Sequence, residues 1–374
     1  MNRPILLFLT LSLVLAGPES FAQTEQTPFM KRVFTRLFFP PANRDTAAVW
    51  QPRPRWNVTL SGELRQTGVF QSLSTVSGGI PIAMESRLQE RLYTGAGAAF
   101  GFGGWSFGLS RQIGRSALSS KSNSFEYCGT GLGFAISYYD IHQPIDYTVT
   151  LGTPEELLAG SGHGTTAYPG RMKMVIAETV YAFNRHDFAL NAVYKGNKLQ
   201  RRSAGSWMLS AKYVQGEVSS DPREKISDVL FGVHRQATAQ ASLGGGYSYN
   251  FVVLHHQGVS DVKGLRNLSF NLSGMPLVTL YDRHVVDRAV TDPVMGKVTS
   301  EKSYRLKSTL RLNYVARAGV GFAWDRFFLS ATGQYDIFSF RGTTEIAGSA
   351  TPLKVKAAGR FSKWSTVFKL NVRF

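Results

Sequence analysis

Cations recur along stretches that alternate polar and apolar residues, and these carry the most usable chemistry in the sequence. Lys195, Lys198, Arg201, Arg202 and Lys212 lie on or beside neighbouring stretches. Arg305, Lys307, Arg311 and Arg317 share odd numbers, and Lys369 and Arg373 take polar positions near the end. Residues two apart on a strand point the same way, so such cations would line one surface. If that surface encloses water, it attracts anions. The candidate lining residues are Lys195, Lys212, Arg305, Lys307, Arg311, Lys369 and Arg373. The plainer reading is structural, with interior cations paired to carboxylates or loop carbonyls. Glu178, inside the run Val175 to Phe183, would need a cation if it faces inward, and Lys195 or Lys212 could supply it.

Catalytic chemistry is sparse. Ser161 and His163 are two apart and could share a strand face, but they sit among glycines in an expected loop. His255 and His256 would point to opposite sides of a strand, which suits no single metal ion. The carboxylates lie mostly near links, and none pairs as a general acid and base. The single cysteine, Cys128, excludes an internal disulfide and a Cys-ligated metal site. We expect no catalytic residue, no metal and no cofactor.

The elements that must hold these residues are strands. Val58, Leu60, Gly62 and Leu64 alternate with Thr59, Ser61, Glu63 and Arg65. Trp364, Thr366, Phe368, Leu370, Val372 and Phe374 alternate with Lys369, Asn371 and Arg373. Period two puts apolar groups on one face and polar groups on the other. The pattern predicts strands near 56–70, 83–102, 105–116, 122–139, 171–184, 187–201, 204–219, 236–253, 264–282, 302–323, 326–342 and 362–374. Many exceed the roughly 9 to 11 residues that cross a bilayer when tilted. Aromatics gather near strand ends, at Trp105 and Phe107, Tyr138 and Tyr139, and Trp324 with Phe327 and Phe328. Such clusters suit interfacial girdles better than the interior of a β-sandwich. The expected fold is all-β, a transmembrane antiparallel β-barrel of about twelve strands, with a short N-terminal helical or extended segment.

Connections test that count. Tight links at Gly103-Gly104, Arg202-Ser203 and Trp324-Asp325 fall on one side, and long ones at 71–82, 220–235, 283–301 and 343–361 on the other. Two links break the rule: 140–170 is long where a turn is expected, and Asn184 to Asp187 is short where a loop is expected. Splitting 122–139 at Gly129-Thr130-Gly131 is one repair, which with one further strand makes fourteen the alternative. Thr153 to Leu158 could open one helical turn.

Composition agrees with β structure: 12% aromatic, 37 glycines and 18% charged residues. Arg3, the apolar run Ile5 to Ala16 and Ser20-Phe21-Ala22 read as a signal peptide cleaved after Ala22. Residues 23–55 form an N-terminal periplasmic segment and linker, with a basic amphipathic helix expected over Phe29 to Phe39, and 56–374 form the barrel. The +17 formal charge is spread across strands rather than gathered in one patch, which argues against nucleic acid.

At Gln200 to Trp207, Leu243 to Phe251, Arg326 to Ser330 and Phe368 to Phe374 the chain resembles a Bacteroidota domain-of-unknown-function family, number forty-four twenty-one, over roughly residues 40 to 374. The resemblance implies an exported outer-membrane β protein and supplies no activity or ligand. Phe374 is similar to the C-terminal signal read by the barrel assembly machinery of the outer membrane. Expected partners are that machinery and outer-membrane lipids; any small-molecule ligand is left open. Three roles remain: a structural or binding barrel with long external loops, an anion-leaning pore or small-solute transporter, and a lipid-modifying enzyme.

Overall fold

The structure is a computed structural model that describes residues 48–50, 56–77, 79–90, 92–102, 104–113, 120–128, 131–152, 161–220, 233–256, 263–291, 298–308, 311–346 and 353–374. The expected signal peptide (1–22), the expected helix at 29–39 and the expected helical turn at 153–158 lie outside them. Strands fill most of the rest. They are β1 (Val49–Trp50), β2 (Trp56–Ser77), β3 (Ile80–Gln89), β4 (Tyr93–Phe102), β5 (Trp105–Gln112) and β6 (Ser120–Cys128). Then come β7 (Leu132–Gln143), β8 (Ile145–Leu151), β9 (Ser161–Thr165), β10 (Gly170–Ala182), β11 (Leu199–Gln200) and β12 (Ala204–Ser219). The last are β13 (Val233–His256), β14 (Arg266–Thr291), β15 (Val298–Ser308), β16 (Leu312–Trp324), β17 (Phe327–Ile346) and β18 (Leu353–Arg373).

The chain is an all-β protein built as one closed antiparallel barrel. Around the ring run β2, β4, β5, β6, β7, β10, β12, β13, β14, β16, β17 and β18, and β18 closes it on β2 from Arg373↔Asn57 to Lys356↔Ser74. Several of these continue past a short break. β3 extends β4 along the same edge of β2, with Glu90 at the joint. β15 extends β16 along β14, and the Thr279 amide donates to the Arg311 carbonyl between them. Pro144, which has no amide hydrogen to give a ladder, separates β7 from β8. Above the short hairpin of β5 and β6, β3 pairs β8 directly from Leu88↔Ile145 to Ile82↔Leu151. The ring therefore narrows toward that end.

The expected count survives through two compensating changes. The split at 129–131 is real, and β6 and β7 are separate strands paired from Cys128↔Gly133. The expected strand at 187–201 is absent from the ring; only Leu199–Gln200 is extended, and it pairs Val49–Trp50 instead. One strand gained and one lost keep the number even, as an up-and-down barrel requires, and both irregular links resolve. The described parts of the expected long loops are mostly strand: β2 runs to Ser77, β14 to Thr291 and β17 to Ile346, while 221–232, 292–297 and 347–352 lie outside the described residues. Their outward residues are mostly polar, which reads as loop in sequence, yet the ladder continues because inward groups such as Leu73, Val286, Leu306 and Val355 pack together.

The outer face has two zones. Toward the end of the barrel holding Asp325, every strand points apolar groups outward, with Trp207 69%, Phe107 63%, Leu272 62% and Phe368 52% exposed. The Trp56 ring packs tilted against Phe102, and Trp105 against Tyr127, at that end. Toward the other end charges replace them. Lys121 faces Asp140, Asp140 faces Lys173, and Lys173 faces Glu217 across successive ladders. Arg235 then bonds both Glu217 at 2.8 Å and Asp287. Opposite charges directly across a ladder stabilise it.

Candidate functional site in the barrel interior

Between β10 and β12, residues 188–200 fold back into the barrel at the Asp325 end. They are tied to the wall by groups that alternation turns inward. Tyr194 donates from its hydroxyl to Asn271 Oδ1 at 2.6 Å, and Asn250 Nδ2 donates to the Ala189 carbonyl at 2.9 Å. Lys369 Nζ donates to the Tyr194 carbonyl at 3.5 Å, Asn371 Nδ2 to that of Lys195 at 3.3 Å and Arg373 Nη1 to that of Gly196 at 3.3 Å. Gly196 has φ of +65°, and a Cβ there would run into the Phe328 ring. Only glycine takes that backbone and that approach at no cost. Val49–Trp50 pairs with this segment, and Trp50, 3% exposed, packs with Leu199, Leu265, Ala323 and Phe328. The segment is a plug.

Beyond the plug, ion pairs cross the lumen. Lys212 on β12 reaches Asp336 on β17 at 2.7 Å, both side chains 0% exposed. Arg317 on β16 reaches Glu178 on β10 at 2.5 Å, and Lys212 lies 3.8 Å from the same carboxylate. Lys363 on β18 donates to the Tyr139 hydroxyl on β7 at 2.5 Å. Farther up, where the ring narrows, apolar inward side chains gather beside the buried amides of Gln71, Gln236 and Gln240. Val69, Ile141, Met172, Met174, Phe338 and Phe361 meet from opposite walls in one cluster. Near the joint of β3 and β4, Arg65 is wholly buried, bonds Glu90 at 3.0 and 3.1 Å and lies over the Tyr93 ring.

Between the plug and the apolar cluster lies a cavity of about 320 Å³. Its space arises from unequal walls. Gly108, Gly133, Ser110, Ser124 and Ser137 on β5 to β7 are short, and Glu178, Arg317, Lys363 and Lys369 face them. The cavity is polar and roomy enough to hold water.

The candidate cations separate by position. Lys195 sits in the plug and pairs Glu126 at 3.0 Å, so it is not the partner of Glu178; Arg317 and Lys212 are. Lys212, Lys369 and Arg373 face the lumen and are engaged as described. Arg305 is exposed on the outer face, because Leu306 beside it, 3% exposed, points inward. The odd-numbered positions change face at the break between β15 and β16, so Arg305 and Arg317 do not share one. Arg311 sits half-buried at that break, and Lys307 is described by its backbone, paired with Thr343. Phe374 stands 58% exposed beside Trp56, whose carbonyl accepts its amide at 3.0 Å.

Ser161 and His163 belong to β9 rather than to a loop, and His163 Nδ1 meets the Thr148 hydroxyl at 2.9 Å. Gly104-Trp105-Ser106-Phe107-Gly108 has the spacing of a nucleophile elbow, but Ser106 lies within β5 and no strand-to-helix turn presents it. Sequence reasoning missed the plug. The signal was present: Phe188 to Tyr194 is apolar at almost every position, without alternation.

No curated protein matches the chain in sequence. Among solved structures, the beta domain of the Bordetella autotransporter BrkA is similar at 10% identity, covering 80% of this chain and 98% of that one with a TM-score of 0.28. The translocator domain of the autotransporter NalP from Neisseria meningitidis is similar at 10% identity, covering 86% and 89%, with a TM-score of 0.28. The P. putida toluene transporter TodX follows at 8% identity, covering 86% and 91%, with a TM-score of 0.16. Likenesses this distant assign no cargo or partner to this chain. Residues 92–361 match the domain of unknown function DUF4421, and with well over half its length inside that match, the chain belongs to this family.

Proposed function

We propose that this chain is an outer-membrane β-barrel with a closed lumen, acting as a structural or binding barrel through the end opposite the plug. The cell is Gram-negative on this reading, and the family resemblance favours a Bacteroidota source. Its surroundings are outer-membrane lipids, and β18 is the strand the assembly machinery would read. The observation that carries the reading is the obstruction of the lumen. The plug lies at one end, ion pairs cross the middle, and apolar side chains from opposite walls meet above them. In small barrels side chains can fill the interior in this way. The outward apolar groups support the membrane placement, because lipid is the solvent that accepts such a surface.

Planar-bilayer recording tests the reading. The folded barrel, identified by heat-modifiable gel migration, should insert without conductance steps. A steady open channel in the unaltered protein overturns it. The anion-leaning pore keeps one supporting observation, the Arg317, Lys363 and Lys369 side chains at the cavity. If the unaltered protein conducts with a reversal potential favouring anions, that second reading replaces the first.

A further inference from the structure

We infer that one arc of the outer face, on β15, β17 and β18, binds the headgroups of anionic membrane lipids; this rests on the membrane placement proposed above. Arg305, Arg341, Lys354, Lys356 and Arg360 are all exposed there, and among the described side chains of these strands Glu345 is the one exposed carboxylate. They are neighbours by register. Glu345 faces Lys354, Thr343 faces Lys356, Arg341 faces Ala358 and Ser339 faces Arg360. β15 joins the same arc through Lys307↔Thr343.

Two contrasts show that this is more than a solvated rim. First, the other arc neutralises itself. Asp140 with Arg171, and Glu217 and Asp287 with Arg235, pair their charges within the protein. On the cationic arc, among the described side chains, Glu345 can answer one charge and leaves the others. Second, the cations stand directly above lipid-facing groups on the same strands. Outward positions on β18 pass from Arg360 through Ser362 to Trp364, Phe368 and Leu370; those on β17 pass from Arg341 to Ile337, Tyr335 and Leu329. A lipid whose acyl chains lie along the apolar groups has its headgroup at this height. Unpaired Lys and Arg within a Debye length of an anionic headgroup attract it, and arginine can grip phosphate with two parallel N–H groups. Charge complementarity together with the adjoining apolar surface selects an amphiphile over a soluble anion.

The test uses the full chain in detergent micelles, with phosphatidylglycerol or phosphatidylcholine added and bound lipids counted by native mass spectrometry. The unaltered barrel should retain phosphatidylglycerol in preference. The variant R341Q/K354Q/K356Q/R360Q should lose that preference by at least about tenfold. The control K121Q/K173Q, on the self-paired arc, should keep it. Equal preference in the quadruple variant, or equal loss in the control, overturns the inference. Uptake of inorganic pyrophosphate as tight as that of phosphatidylglycerol overturns the assignment to lipid. Heat-modifiable migration and insertion into vesicles are read on the same samples. A chain that fails to insert sinks the membrane placement and this inference together, whereas one that inserts without lipid preference sinks the inference alone.

Discussion

Replacing Lys212 by Met should destabilise the barrel by about 3 kcal/mol, the lower end of what breaking a buried ion pair costs. The structure sets that figure. Lys212 and Asp336 are 0% exposed and 2.7 Å apart, so the variant leaves a carboxylate in the lumen without its closest cation. Gln334 Nε2 still donates to Asp336 at 2.7 Å, which moderates the loss. Asp336→Leu should cost a similar amount, moderated by Glu178 standing 3.8 Å from Lys212 Nζ. The double variant Lys212→Met/Asp336→Leu removes both charges and should lie closer to the unaltered protein than either single variant. Urea unfolding in phospholipid vesicles gives the three free energies, and the cycle isolates their coupling. Were the lumen open to water, the pair would behave as a surface ion pair worth about 0 to 1 kcal/mol, and the single variants would barely register. A Lys212→Met loss below about 1 kcal/mol, with no coupling, refutes the closed lumen on which the reasoning stands.

Three further outcomes follow from the same geometry. Trp50→Ala removes the side chain that packs on Leu199 and Phe328, so hydrogen exchange of residues 188–200 should quicken while heat-modifiable migration persists; unchanged exchange would mean that Trp50 does not hold the plug. Gly196→Val should lower stability by about 1 to 3 kcal/mol through its backbone conformation and the Phe328 ring, and the same valine should cost less when measured in a Phe328→Ala background, although Phe328→Ala is itself destabilising; full tolerance of the valine would contradict the placement of the plug. Arg171 holds the Asp140 carboxyl below the usual carboxylate range, and Arg235 does the same for Glu217. Because those values are lowered by folding, the pairs stabilise at neutral pH and lose that contribution as pH falls through the lowered values. The urea midpoint should drop below about pH 4, and Arg171→Gln/Arg235→Gln should flatten the drop.

The wall of the barrel was legible because a bilayer and an enclosed lumen demand opposite chemistry on alternate residues. Trp364 to Phe374 carries that demand in plain form. Gly103-Gly104 and Trp324-Asp325 marked their turns because the backbone there must reverse at once; Gly104 and Asp325 have φ of +104° and +53°. The plug was not legible as a plug. Inside a lumen a segment meets protein on all sides, so Phe188, Ala189, Leu190, Ala192 and Val193 are buried together and no period of two survives. The cross-lumen pairs were half legible. Inward-facing Glu178 demanded a cation, and Lys212 was among the candidates, but nothing local ties residue 178 to Arg317 on the opposite wall. Arg305 failed for a local reason: the alternation differs between β15, ending at Ser308, and β16, starting at Leu312, so parity cannot be carried from one to the other.

The account stands on the outer face of the barrel meeting acyl chains along β18 from Trp364 onward and water at Arg360. Nitroxide labels placed singly at 360, 362, 364, 366, 368, 370 and 372 of β18, in a Cys128→Ser background reconstituted in vesicles, test this most directly. Collision with dissolved oxygen should be high and collision with a water-soluble nickel chelate low from 364 to 372, and the order should invert at 360. Chelate access throughout 364 to 372, or folding of the purified chain as a monomer in buffer without detergent, would contradict the account.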